Sequence, residues 1–590
     1  MHRPKQYGGF PTPGLQTPDG DTVMDRLFFL TETQWEVAKE ESKYDFVIVG
    51  SGFCALAVAK RALKTDRSCR ILIIERGPYF LPSHFQNLGK PFDQTIAGHL
   101  ETFPWTMSAE TANGDAGVVR YQHGMIPYFG GRSVMWSAWC PIPTPEEMHE
   151  WPEPTIEVLN RDDQKYFKSA EKLLKVQKTD RIRHHQRVYG ELQKTLQQQL
   201  ENRGKTIEGV YRIESAPLAV DGRYKGIDFA KFSVPSELLQ FASKQNKLED
   251  KPDLDIVTNC TVEKIHQQNG TATALQTSRG MLALGDAKLI LAMGTLPPTT
   301  LVKNSFPDVA AGERFGAHFI SSIIARIPRA DIIDPDQLHD LELGAFYIAG
   351  KGKEGYTQQY HIQLTAISDK SPDENVKKAL RYMPDVVATA SKKQLTSSVG
   401  KVVFVCAVLG ELDVTNPDSW FKQNTDDTNL TTNSKLQVTV NETDEKTWNA
   451  MDDATFGILE EVLSPEGPQA VDYWHGGSDE GEWTKQRPSE EERRVDMLVH
   501  ESSTLNIGEE QSDPVDTNYC LRGTNNVYVT GASLWPRSGS WNPTLTMVAL
   551  SQHLADQLVA EKKKKEKSIL DAMWDVLTRA VNFVYSVFFH

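Results

Sequence analysis

The chain predicts an α/β protein with two cores: a sheet domain assembled from separated stretches, and a second domain rich in β-strand. Three observations predict it. Residues 44–75 read as strand, glycine turn, helix and strand. Residues 306–490 become β-prone and loop-rich, and a strand–loop–helix pattern returns at 526–559.

The first stretch organises the rest. Val47-Ile48-Val49 runs into Gly50-Ser51-Gly52, and an Ala-rich helical pattern follows over 53–63. Gly50 suits backbone angles that a side chain forbids. Gly52 allows close approach of a pyrophosphate, and Ala55 is the small residue where helix meets strand. The helix start offers free N–H groups and a positive dipole end to phosphates. A second apolar strand, Ile71-Leu72-Ile73-Ile74, ends at Glu75, 23 residues beyond Gly52. An acid at that distance accepts from a ribose hydroxyl. The unit points to a dinucleotide and leaves FAD and NAD both open.

At 590 residues the chain can bury two or more cores. Its net charge of −15 argues against nucleic-acid binding, which wants a basic face. Cys54, Cys69, Cys140, Cys260, Cys406 and Cys520 are scattered without a CxxC pair, so neither a metal site nor a disulfide framework is expected. The first residues lack the apolar core of a secretory signal. The expected setting is cytoplasmic.

In chain order, residues 1–43 read as a surface arm ending in a short helix. Residues 44–150 and 226–305 read as two parts of the dinucleotide domain, split by a polar helical insertion at 151–225. The His184-His185 pair in that insertion reads as solvated surface. Gly130-Gly131, followed by Trp136 and Trp139, suggests backbone passing close to a flat ligand. Residues 306–494 read as the substrate-binding domain, with Val402–Leu409 as a buried strand. Residues 495–560 return to the first domain, where Asn542-Pro543 starts a helix beginning at Thr544.

Together these pieces resemble the glucose–methanol–choline (GMC) oxidoreductases. The likeness rests on Gly50-Ser51-Gly52 with Glu75, the Gly130-Gly131 loop, Ala292-Met293-Gly294-Thr295, and a degraded motif ending at His318. The clearest part is His500-Glu501-Ser502-Ser503-Thr504-Leu505-Asn506, Gly531-Ala532-Ser533, and Asn542-Pro543-Thr544-Leu545-Thr546. The last stretch resembles the pyranose-oxidase branch. The resemblance implies a glutathione-reductase-like, Rossmann-like FAD-binding domain beside a β-sheet-rich substrate domain. It also implies FAD rather than NAD. It places the active-site pair at His500 and Asn542, an adenine contact at Val262, and further cofactor contacts at Gly294, Gly531, Ala532, Pro543 and Thr544. Pyranose oxidases attach FAD through a histidine that here is Met135, so the FAD is expected to be non-covalent.

The chemistry expected is oxidation of a CH–OH group in an alcohol or sugar-like substrate. His500 takes the hydroxyl proton, Asn542 stabilises the developing alkoxide, and flavin N5 accepts the hydride. His123 is the next candidate base. Two alternatives are a lyase of the hydroxynitrile-lyase type on the same fold and a flavin-binding protein without chemistry.

Residues 561–567 read as a basic linker, and 568–590 as an amphipathic helix with one polar stripe. Asp571, Asp575 and Arg579 interrupt it too often for a membrane span. A helix packed on the enzyme or between copies, and peripheral contact with a membrane face, both fit.

Overall fold

The computed structural model describes residues 16–89, 99–113, 121–182, 187–224, 227–352, 358–385 and 388–588. The His184-His185 pair and residues 1–15 lie outside them.

Five short strands form a wholly parallel sheet in the order Val527–Val529, Lys288–Leu291, Phe46–Val49, Ile71–Ile74, Leu254–Val257. The Phe46–Val49 and Ile71–Ile74 strands are continuous apolar runs because both faces of the sheet are covered. The helix Phe53–Thr65 buries Ala55, Leu56, Ala59, Ala62 and Leu63. The C-terminal helix packs against it, and Arg61 donates to both carboxylate oxygens of Asp556 at 2.7 and 2.6 Å. The sheet therefore joins chain segments more than 450 residues apart. A three-stranded antiparallel meander, Val262–Gln268, Thr271–Thr277 and Gly280–Ala283, adjoins it.

The second core is a nine-stranded sheet. Its centre is the antiparallel run Gly316–Pro328, Lys401–Glu411, Gln359–Asp369 and Leu341–Lys351. The helix Glu442–Gly457 covers one face, with Trp448 stacked on Phe319 and donating to Ser321 Oγ at 2.8 Å. The opposite face looks toward the parallel sheet. The strand Arg494–Ser502 pairs with Gly316–Pro328 through two register shifts, one between Gly316 and His318. Such bulges re-aim side chains at the end of a strand.

Two local expectations change. The segment expected as a surface arm docks from Phe29 onward. Phe29, Leu30 and Trp35 are buried, and Trp35 Nε1 donates to the Arg279 carbonyl at 3.0 Å. A tryptophan covers 150–250 Å², so its burial contributes roughly 4–6 kcal/mol toward docking this helix, before ordering costs. The basic stretch at 561–567 is not a linker, because one helix runs unbroken over Thr544–Phe588. Lysine and glutamate are good helix formers, so the run continues the helix instead of interrupting it.

Candidate active site

A cavity of ≈ 420 Å³ lies between the C-terminal ends of the parallel strands and the open face of the large sheet. The glycine turn forms its floor. Gly50 has φ +101°, and a Cβ there would overlap the Ala292 carbonyl. At Gly52 a Cβ would meet only the Gly130 carbonyl oxygen, at 3.9 Å, so this backbone is open to the cavity. The Phe53–Thr65 helix has no side-chain cap, which leaves its first N–H groups free.

Ser51 ties this turn to two others. Its Oγ donates to Glu75 Oε2 at 2.6 Å and accepts from the Gly130 N–H at 2.8 Å. Glu75 also accepts from the Ser51 and Gly77 N–H groups at 3.1 and 3.0 Å. Burial raises its carboxyl pKa, against these hydrogen bonds.

Gly131, Val262, Gly294, Gly531, Ala532, Pro543 and Thr544 all line the same cavity. Gly294 has φ +86° with open space where a Cβ would stand. Two residues named from the sequence stand behind the lining. Ala55 is fully buried in the helix–sheet contact, and Gly130, with φ +93°, packs on Pro235. Their small size serves packing of the cradle rather than its surface. Met135, Trp136 and Trp139 also line the cavity, whereas Trp541 is fully buried beside Trp151.

His500 and Asn542 meet on the far wall, with His500 Nε2 3.4 Å from Asn542 Nδ2. A chain of hydrogen bonds fixes which atoms carry protons. The Gly539 carbonyl can only accept, so His318 Nε2, 2.7 Å away, carries a hydrogen. A neutral His318 then presents Nδ1 as an acceptor, and His500 Nδ1, at 2.8 Å, donates to it. His500 Nε2 is left with its lone pair, which accepts from Asn542 Nδ2. Asn542 Oδ1 in turn accepts from Gln363 Nε2 at 3.1 Å. This assignment follows from the network's one fixed carbonyl.

The electrostatics agree with it. Burial pulls His318 down to about 4. Burial first, then the neighbouring His318, hold His500 well below the ordinary imidazole value. Both rings are neutral at physiological pH. His500 has φ +61°, a left-handed conformation uncommon outside glycine and costing about 1–3 kcal/mol. It lies where the pairing with Gly316–Pro328 shifts register.

Residues 357–551 match the family model described as GMC oxidoreductase. Over that third of the chain it is similar to the GMC oxidoreductases. No curated protein matches it. Among solved structures it is similar to pyridoxine 4-oxidase from Mesorbium loti, at 14% identity and a TM-score of 0.55, covering 87% of this chain and 99% of that one. That likeness concerns the fold. The matched region holds Gln363, His500, Gly531 and Asn542, while Gly50, Gly52, Glu75 and His318 lie before it.

Three features were not assigned from the sequence. His318 ends the stretch already noted as a degraded motif, so a signal existed. Gln363 follows His361 and precedes Thr365 in a period-2 polar alternation, which marks one face of a strand as polar. The third is an ionic cluster: Arg132 donates to Glu501 Oε1 at 2.9 Å, pairs with Glu101 at 3.2 Å and bonds His123 Nδ1. This commitment of the ring nitrogen to a cation suits His123 to structure more than to base chemistry. Burial pushes Glu501 up to about 7, against Arg132. Among the described residues no group of side chains could hold a metal ion.

Proposed function

We propose that the protein is a GMC oxidoreductase that uses FAD to oxidise the CH–OH group of an alcohol whose body is apolar. The observation that carries the reading is the bare Nε2 of His500, held beside the Asn542 amide in the cavity that the glycine cradle lines.

The cradle fits a dinucleotide. Open backbone at Gly52, Gly131 and Gly294, together with an uncapped helix N-terminus, suits an anionic pyrophosphate. Glu75 would hold the ribose, and Val262 lines the meander side where the adenine would sit. Bound FAD supplies the hydride acceptor. Met135 replaces the histidine that forms a covalent link elsewhere, and a thioether cannot form that bond.

The chain's own residues handle the proton and the oxygen. His500 Nε2 accepts the substrate O–H proton, and Asn542 Nδ2–H donates to the oxygen as negative charge develops there. Gln363 holds the Asn542 amide with its nitrogen inward. His318 holds His500 with its lone pair inward and accepts from Nδ1–H more strongly once the ring is cationic.

Substrate class follows from the sheet wall. Ile320, Ala407, Leu409, Met497 and Val499 line the cavity with aliphatic surface. A polyhydroxylated sugar set there would leave hydroxyls without partners, at about 1–3 kcal/mol each. Aliphatic and aryl alcohols fit. The test is anaerobic mixing with a panel of lipophilic alcohols and sugars. Bleaching of the flavin band by lipophilic alcohols supports the reading, bleaching by sugars alone overturns the substrate class, and no bleaching by any alcohol favours a lyase or a non-catalytic flavoprotein.

A further inference from the structure

The C-terminal helix changes character along its length. Leu545, Val548, Leu550, Leu554, Leu558 and Val559 are core residues of the parallel-sheet domain. From Lys563 to Val581 every residue is exposed, although the helix continues. Trp574 is 72% and Leu570 64% exposed. At 100° per residue, Ile569, Leu570, Trp574, Val576, Leu577 and Val581 fall within an arc of about 160°. Asp571, Asp575, Thr578 and Arg579 take the opposite side. This apolar band runs about 20 Å along the axis. A soluble surface does not ordinarily leave such a band in water.

The root of this segment is basic within a chain of net charge −15. Part of the lysine run staples the helix to the body. Lys562 pairs with Asp66 at 3.4 Å, Lys563 donates to the Thr65 carbonyl, and Lys565 pairs with Asp286 at 2.8 Å. Among the described residues no acid pairs with Lys564 or Lys567, and both are exposed. Two available lysines therefore adjoin an exposed apolar band whose back is polar. A second copy packed helix to helix would cover the apolar arc but would set the same lysine-rich root against its own kind. An anionic lipid surface supplies both what the lysines and what the apolar band require. Among the described residues no helix is long and apolar enough to cross a membrane.

We infer that residues 564–581 bind the enzyme to anionic lipid surfaces, with the helix lying in the plane of the headgroups and its apolar arc turned into the acyl chains. The inference is independent of the oxidation chemistry.

The experiment is flotation of the full-length, FAD-loaded protein with phosphatidylcholine vesicles that contain or lack phosphatidylserine. Wild type is expected to float with the anionic vesicles and to be released by salt. Trp574→Asp with Leu577→Asp, two exposed positions, should abolish flotation while flavin content stays unchanged. Lys564→Gln with Lys567→Gln should weaken anionic binding about 30-fold, at roughly fivefold per lysine. Wild type that remains in the soluble fraction with both vesicle types overturns the inference. So does undiminished flotation of the Trp574/Leu577 variant. A stable dimer by light scattering, without vesicle binding, assigns the arc to a second copy and overturns it equally.

Discussion

His500 and His318 face each other through their Nδ1 atoms at 2.8 Å, and the Gly539 carbonyl behind His318 fixes the direction of that hydrogen bond. The proposed base is thus oriented from a backbone carbonyl two links away. His500→Ala should retain FAD and slow flavin reduction by about 10²–10⁴. Asn542→Ala should slow the same step by about 10², the lower range for losing one donor to a developing oxyanion. Wild-type reduction rates in His500→Ala would move the base elsewhere, with His123 the next residue to replace.

Replacement of His318 separates orientation from chemistry. His318→Leu removes the acceptor for His500 Nδ1–H and frees the ring to adopt the other tautomer. Reduction should slow by about 10–100-fold with flavin content unchanged, a loss of roughly 1.4–2.8 kcal/mol. His318→Gln offers a carbonyl oxygen and should recover part of the rate. Equal rates in the Leu and Gln variants would reduce His318 to packing.

The pH dependence has a definite sign. Protonated His500 cannot accept the substrate proton, so activity is lost on the acid side as pH falls through its pKa. Burial and His318 place that value well below the ordinary imidazole. The rate of flavin reduction should therefore hold between pH 8 and about pH 6.5, the ordinary histidine value, and fall only at lower pH. An acid limb centred at or above the ordinary value would contradict the burial argument. Glu501, pushed up to about 7, is the cavity group that titrates near neutrality. Glu501→Gln should leave the acid limb in place.

The cofactor prediction turns on Met135 and Gly52. Acid precipitation should release yellow flavin into the supernatant, and flavin retained in the pellet would refute non-covalent binding. Gly52→Val should leave a colourless protein, because its side chain would project into the open space over the cradle.

The apolar wall makes its own prediction. Leu409→Asn should lower kcat/KM for a lipophilic alcohol by about 10–200-fold, the range for changing one wall of an apolar pocket, with flavin content unchanged. Unaltered kcat/KM across the panel would place the substrate elsewhere in the cavity.

The proposed cofactor half of this candidate site could be read from the sequence because its determinants are local. Gly50, Gly52, Glu75 and the Asn542-Pro543 helix start act through backbone angles, helix ends and short spacings that a few residues specify. The fold class and the family resemblance were legible for the same reason, since strand–glycine–helix units and the motif after His500 carry their meaning within about ten residues each. Met135 could be read by its chemistry alone. Tertiary structure decided what depends on distant registers. His318 and His500 are 182 residues apart, and only the bulged pairing of their two strands sets their rings face to face. Gln363 reaches Asn542 across 179 residues through the same sheet. Ala55 and Gly130 are small for the sake of neighbours behind the cavity, which no local pattern distinguishes from neighbours within it. The arm that buries Trp35 and the helix that leaves Trp574 in water differ in the same way. Each carries an apolar face, and only the presence or absence of a docking surface, for Trp35 one that lies 244 residues away in sequence, decides whether that face is covered.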